Sequence, residues 1–251
     1  MLYIDAIIKI ASYINVRQAK QIQRAAEACA ASIEKARAVL LFGAGHSALP
    51  CQEAFPRIGS IVGFVQITEP NLGFNGFVTG KGGQKQMSFI EQTEGYGEVI
   101  FSNYRVTEED TLIVFSNSGI NALPLELCRK AQERGLTTIG VSSHTHSAKY
   151  KTKTARTSKR LFELAGIAID NCTPVGDALI ETETGEKVGG SSTIANMLII
   201  NSIVVETTHI LQERNKPVMI YPSHNVTEDI ESVLAREESI FTAHKNLIAK
   251  L

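Results

Sequence analysis

The sequence predicts an α/β fold, a mostly parallel five-stranded sheet between helices, preceded by an N-terminal helical arm. Three observations predict it. Short apolar runs at 38–42, 61–67, 111–115, 136–141 and 166–170 are rich in β-branched residues, the pattern of strands buried on both faces. Stretches of helical period alternate with most of these runs, as connections between parallel strands must. Several runs also break into small hydroxyl-bearing residues and glycine at the point where a strand would turn into a helix.

The arm comes first, over 1–37. Tyr3, Ile4, Ile7, Ile8, Ala11 and Ile14 repeat at helical spacing, and so do Ile22, Ala25, Ala26, Cys29 and Ile33. Two helices are therefore expected, parted near Asn15. Such an arm can cover one sheet face or pair with the same arm of a second copy. The first strand, 38–42, ends in Gly43-Ala44-Gly45-His46-Ser47 and leads into a helix over 48–58 with Pro50 in its first turn. Glu53 and Arg57 on that helix stand at the i,i+4 spacing of an ion pair. The strand 61–67 closes at Thr68-Glu69-Pro70 and opens a loop with five glycines between 73 and 83. A loop of that length and freedom after a strand is expected to act as a lid. Lys81 does not make it a nucleotide phosphate loop. The stretch from Gly76 to Gly82 is one residue short and has no Ser or Thr after the lysine.

Residues 86–104 read as a helix weakened by Gly95 and Gly97, with Glu91, Glu94 and Glu98 on a solvated acidic face. The strand at 111–115 is central to the reading. It turns through Ser116-Asn117-Ser118-Gly119-Ile120-Asn121 into an amphipathic helix over 123–134. A strand that turns sharply into a helix aims backbone N–H groups and the positive end of the helix dipole at one spot. Ser116 and Ser118 would add hydroxyl donors there, and Gly119 would remove a Cβ that keeps an anion away. The plainer reading is a turn in which Ser118 or Asn121 caps the helix. The strand 136–141 ends likewise, in Ser142-Ser143-His144, and a polar, basic connection over 145–160 follows. No carboxylate or cysteine beside His144 and His146 completes a metal site, so no metal is expected.

The strand 166–170 delivers Asp170, Asn171 and, past Pro174, Asp177 to the same edge of the sheet. A small hairpin over 178–188 turns at Thr184-Gly185. Gly189 to Thr193 then opens a long apolar helix, with Ser192 at its start. Asn196, Asn201, Ser202, Glu206 and His209 mark that helix as a core element rather than a membrane span. The tail, 216–251, ends in a charged helix expected on the surface or against a second copy.

Gly43-Ala44-Gly45-His46-Ser47 and Ser116-Asn117-Ser118-Gly119 would both lie at the carboxyl edge of a parallel sheet, where open α/β proteins bind ligands. This pair of turns resembles the sugar isomerase (SIS) domain, a phosphosugar-binding family. The likeness takes in Ile169-Asp170-Asn171-Cys172 and Gly176-Asp177-Ala178 and covers most of the chain. It is nearest to a stand-alone subgroup whose members mostly lack an assigned reaction. The resemblance implies a three-layer, flavodoxin-like or Rossmann-like SIS domain over 38–215 and a homodimer. It implies a phosphorylated sugar held by Gly45, Ser47, Ser116, Asn117, Ser118, Gly119, Asn121 and Ser192. It further implies an aldose–ketose isomerisation through an enediol, without a cofactor, in which Glu53 moves the proton; from the residues themselves, His46, His144 or His146 is the other candidate for that step. The same scaffold serves sugar-phosphate lyases, etherases and non-catalytic sensors, so these alternatives stay open.

Composition narrows the partners. The 25 basic and 26 acidic residues give a formal net charge of −1 without the clustered basic face of a nucleic-acid binder. Cysteines at 29, 51, 128 and 172 show neither disulfide nor zinc spacing and read as reduced thiols. The first residues lack the basic-then-apolar order of a signal peptide, so a cytoplasmic protein with no membrane partner is expected. One rival reading remains. Gly43-Ala44-Gly45-His46-Ser47-Ala48 fits the dinucleotide fingerprint G-x-G-x-x-A, with Glu69 in the place of a ribose-binding acid. That reading leaves the serine turn at 116–118 unexplained, whereas a phosphosugar uses both turns.

Overall fold

The computed structural model describes residues 2–72, 83–225 and 229–251. The glycine-rich stretch expected as a lid lies mostly outside the described residues. Five strands form one sheet: β1 (Val39–Gly43), β2 (Phe64–Gln66), β3 (Thr111–Phe115), β4 (Thr137–Ser142) and β5 (Ile167–Asp170). Their order is β2-β1-β3-β4-β5, and every neighbouring pair is parallel. From β1 the chain steps outward to β2, then returns to lay β3 on the other side of β1. The order thus reverses between β1 and β3, where Gly43 stands opposite Phe115. Such a reversal opens a crevice at the carboxyl ends of the two strands.

Alternation along the strands builds two cores, since successive side chains point to opposite faces. Val39, Leu41, Ile113, Phe115, Ile139 and Val141 meet α2 (Ala19–Glu34) and α9 (Ser192–Glu213) on one face. Leu40, Phe42, Leu112 and Val114 meet α5 (Tyr96–Ser102) and α6 (Ala122–Glu133) on the other. Each such side chain contributes about 1.5–3 kcal/mol by leaving water. Most buried residues of α2 are small, with Ala25, Ala26, Cys29 and Ala30 wholly covered, so the helix lies close on the sheet. The arm's second helix therefore covers a sheet face. Its first, α1 (Leu2–Arg17), buries only Ile10 and Ile14 and leaves Leu2, Ile4, Ile8 and Val16 exposed. Helix α9 is long and apolar enough to cross a membrane, yet half of that apolar stretch is buried inside the fold.

Several elements are shorter than their sequence pattern. The helix expected over 48–58 is a 3-10 turn, Gly45–Ala48, followed by α3 (Leu49–Ala54). It stops because Phe55, the residue before Pro56, is extended, as a proline demands of its predecessor. The strand expected over 61–67 pairs only from Phe64, and Ile61 instead bridges Ile220. The helix expected over 86–104 is two helices, α4 (Gly83–Glu91) and α5. Gly95 between them takes a left-handed φ of 88°. The carboxylate of Glu126 on α6 accepts the Gly95 and Gly97 N–H groups at 2.7 and 3.0 Å, capping α5 from another helix. The connection at 145–160 opens with α7 (His144–Lys149) and leads to α8 (Leu161–Leu164). The hairpin is present as β6 (Ala178–Glu181) and β7 (Lys187–Gly190), antiparallel, and the tail carries α10 (Ile230–Ile248).

The thiols are free, and three are buried. Burial pushes the Cys128 thiol up to about 12 and Cys172 up to about 11, and raises Cys29 and Cys51 as well. None is a poised thiolate.

Candidate functional site

At the switch between β1 and β3 lies a cleft of about 280 Å³. The turn after β1 supplies Gly45, His46 and Ser47, and the turn after β3 supplies Ser116, Asn117 and Ser118. Asn121, at the start of α6, Met87 and Glu91 on α4, His146 on α7, Gly176, Asp177 and Ser192 complete the wall. A larger cavity of about 360 Å³ lies at the amino edge of β1 and β2, lined by Ile33, Val62, Leu211 and Val218. Its lining is mostly apolar, and its two cationic side chains are already engaged, Arg37 by Asp110 and Lys250 by the Ala36 carbonyl. Convergent polar groups, more than volume, mark a ligand site, and they are in the smaller cleft.

The serine turn is held by its own hydrogen bonds. Ser116 Oγ accepts the Gly119 N–H at 3.2 Å, which leaves its O–H proton to donate. The Ser118 carbonyl accepts from Ser147 Oγ at 2.5 Å, pinning the turn to α7. Gly119 has a φ of +61°, and a Cβ there would meet Ser147 Oγ at 2.9 Å and Ser142 Cβ at 3.3 Å. Its glycine thus serves the packing of the turn against α7 and β4, a different reason from the anion clearance expected. Asn121 precedes α6 but makes no side-chain cap. It lines the cleft beside Glu91 instead, and its Oδ1 is buried without a partner among the described residues. An unpartnered buried acceptor costs about 1–3 kcal/mol until something donates to it.

Two groups in the cleft can move protons. Burial raises the Glu91 carboxyl above the ordinary range, opposed by the Asn121 bond and the Lys153 charge. His146 accepts the Gly176 N–H on Nδ1 at 3.1 Å, so its neutral ring carries the proton on Nε2. Burial lowers the His146 pKa, against the pull of Asp177, which favours that neutral form.

Of the residues singled out in the sequence, Gly45, His46, Ser47, Ser116, Asn117, Ser118, Asn121 and Ser192 line the cleft together. Ser192 is already engaged: its amide and hydroxyl donate to Asp177 at 2.7 and 3.0 Å. With that carboxylate on the N-terminus of α9, the N-terminus of α6 is a positive helix end at the cleft without a side-chain cap. Glu53 and His144 lie outside the cleft. Glu53 Oε1 accepts from Arg57 at 2.6 Å and from Asn201 at 3.2 Å, fulfilling the ion-pair reading of its spacing. The His144 ring stacks on Phe162 with centroids 4.8 Å apart, and burial lowers its pKa. No group of three or more His, Cys, Asp or Glu placed to hold a metal occurs among the described residues.

Sequence reasoning passed over Glu91 as a site residue, whereas it brought Asp177 to this edge of the sheet and kept His146 among the acid–base candidates. Glu91 had one local signal: it stands four residues after Met87, which is buried, so the two share a helix face.

A model of the SIS domain matches residues 2–143. The chain belongs to the SIS domain family. A UPF0309 protein of Oceanobacillus iheyensis is 32% identical over 225 residues, 89% of each chain. A UPF0309 protein of Brucella canis is 32% identical over 234 residues, 92% of this chain and 93% of that one. Among solved structures, the phosphoheptose isomerase GmhA of Neisseria gonorrhoeae superposes with a TM-score of 0.52 at 16% identity. It covers 82% of this chain and 95% of its own. A phosphoheptose isomerase of Francisella tularensis does so with a TM-score of 0.51 at 15% identity and the same coverage. At these identities the likeness shows a shared SIS fold.

Proposed function

We propose that this SIS protein binds a phosphorylated sugar in the cleft and interconverts its aldose and ketose forms. The observation that carries the proposal is the placement of Glu91 in one small cleft with the serine turn and His146, where burial raises its carboxyl pKa. The phosphate sits at the N-terminus of α6, taking hydroxyl donors from Ser116 and Ser118. Held there, it orients the reacting carbons by binding energy remote from them. Ionised Glu91 removes the proton beside the carbonyl, and the C–H electron pair becomes the double bond of an enediol. His146 gives its Nε2 proton to the developing alkoxide and takes the proton released by the neighbouring hydroxyl. Glu91 then returns its proton to the adjacent carbon. Every proton is restored and no electrons leave the substrate. A base whose pKa is raised toward the working pH is suited to both transfers.

A thermal-shift screen tests the binding half: sugar phosphates against the unphosphorylated sugars and against NAD(P). A sugar phosphate at ~100 times its dissociation constant is expected to stabilise the fold by ~2.7 kcal/mol, with no shift from the free sugar. Stabilisation by NAD(P) alone would replace the phosphosugar reading with the dinucleotide one.

We further propose that the working unit is a homodimer joined through α1 and α9. Leu2, Ile8 and Val16 on α1 are 76%, 58% and 79% exposed, and Ile194, Leu198 and Val205 lie exposed along α9. The two helices pack on each other, so these residues make more apolar surface than a lone chain leaves in water. Sedimentation equilibrium at micromolar concentration is expected to give twice the chain mass. A clean monomer would remove this proposal.

A further inference from the structure

Behind the cleft lies a buried chain of amides that no part of the proposed chemistry uses. Asn171 follows β5, Asn196 sits in the first turns of α9, and Thr173 lies between them in sequence; all three are essentially inaccessible to solvent. The Thr173 backbone N–H donates to Asn171 Oδ1 at 3.2 Å. A backbone N–H can only donate, so it fixes which end of the Asn171 carboxamide is oxygen. Asn171 Nδ2 is then turned the other way and divides its two protons, one to Asn117 Oδ1 at 2.9 Å and one to Asn196 Oδ1 at 3.1 Å. Thr173 Oγ1 completes the set, 2.7 Å from Asn171 Oδ1 and 3.1 Å from Asn117 Oδ1. The polarity runs one way through the chain. It holds the Asn117 carbonyl inward, and Asn117 lines the cleft with its Nδ2 unpartnered among the described residues.

We propose that Asn171 is a positioning residue that locks the Asn117 carboxamide with its NH₂ toward the cleft, as a donor to a substrate oxygen. The proposal rests on the phosphosugar reading for the identity of that oxygen, a carbonyl, alkoxide or phosphate oxygen, all acceptors. It excludes a ligand that offers only N–H at this point. The orientation itself rests on the Thr173 N–H alone.

Side-chain amide hydrogen exchange, measured by NMR on the full chain without ligand, tests the orientation. Resonances are assigned by their loss in Asn117→Ala and Asn171→Asp. The Asn117 NH₂ is expected to exchange at least ~10-fold faster than that of Asn171, whose protons are both bonded and buried. In Asn171→Asp the new carboxylate offers only acceptors, so Asn117 turns over and its protons become protected. Equal protection of the two amides in the parent protein overturns the proposal, and that comparison needs no folded variant. Calorimetry with fructose 6-phosphate supplies the second readout. Asn171→Asp is expected to weaken binding about tenfold, the worth of one good hydrogen bond. Asn196→Ala breaks a buried bond of the same chain yet leaves Asn117 in place, so it should change affinity less than about twofold. Asn117→Ala with Asn171→Asp should bind no more weakly than Asn117→Ala alone, because Asn171 acts through Asn117. Equal losses in Asn171→Asp and Asn196→Ala would reduce Asn171 to a structural residue. A parent protein that ignores every sugar phosphate would count against the phosphosugar reading, while the exchange result would still decide the orientation.

Discussion

Replacing Ser116 and Ser118 together by alanine is expected to weaken sugar-phosphate binding by roughly two to four powers of ten. Each hydroxyl gives phosphate a charge-assisted hydrogen bond worth ~1.5–3 kcal/mol, and ~1.4 kcal/mol is tenfold. The two serines do not carry equal structural duties. Ser116 Oγ also accepts the Gly119 N–H, so its loss leaves a buried donor without its partner, at about 1–3 kcal/mol of stability. Ser118 holds α7 through its backbone carbonyl, which alanine retains. Ser118→Ala alone should therefore fold as the parent does and bind about ten- to a hundredfold more weakly. Calorimetry on the single and double variants checks both numbers, with circular dichroism confirming the fold. Parental affinity in the double variant would leave Ser116 and Ser118 as turn residues and nothing more.

The parts legible in the sequence were those set by local pattern. The runs before Gly43 and Ser116 are apolar, continuous and short, and they form adjacent parallel strands, which brings the two turns together. Glu53 and Arg57 were legible as an ion pair because i,i+4 geometry is intrinsic to a helix. What escaped was decided between distant elements. Gly95 warned of a weak helix, but the clean break there depends on the Glu126 carboxylate reaching across from α6 to cap the second half. In the sequence Gly119 reads as clearance for an anion, but the space it leaves is filled by Ser147 and Ser142, on α7 and β4 further along the chain. Glu91 looked like one of three solvated acids. Its place in the cleft goes with the helix break, which gives α4 a direction of its own, and no periodicity in 86–104 encodes that placement.

Glu91→Gln is expected to leave sugar-phosphate binding within a few-fold of the parent and to cut kcat by about a hundredfold to ten-thousandfold, the usual worth of a positioned general base. Glutamine keeps the shape and carries no charge to disturb the phosphate or its serine turn, but it cannot take a proton from carbon. The reaction is read by NMR as solvent deuterium entering the substrate carbon, using whichever sugar phosphate the thermal-shift screen selects. Stability gives an independent check with a definite sign. Burial raises the Glu91 pKa, so the folded protein holds this proton more tightly than the unfolded chain does. Its contribution to stability is therefore fully present below the unfolded carboxyl pKa and is lost as pH rises through the raised folded value. Glutamine carries no such loss. The variant should gain on the parent in melting temperature as pH climbs through that window, and the gain should level off above it. Unchanged turnover in Glu91→Gln would assign the proton transfer to another group, with His46 and His146 the histidines left facing the cleft. Unchanged pH dependence of melting would mean instead that Glu91 is solvated, and a solvated carboxylate on α4 would have no reason to be poised for the task.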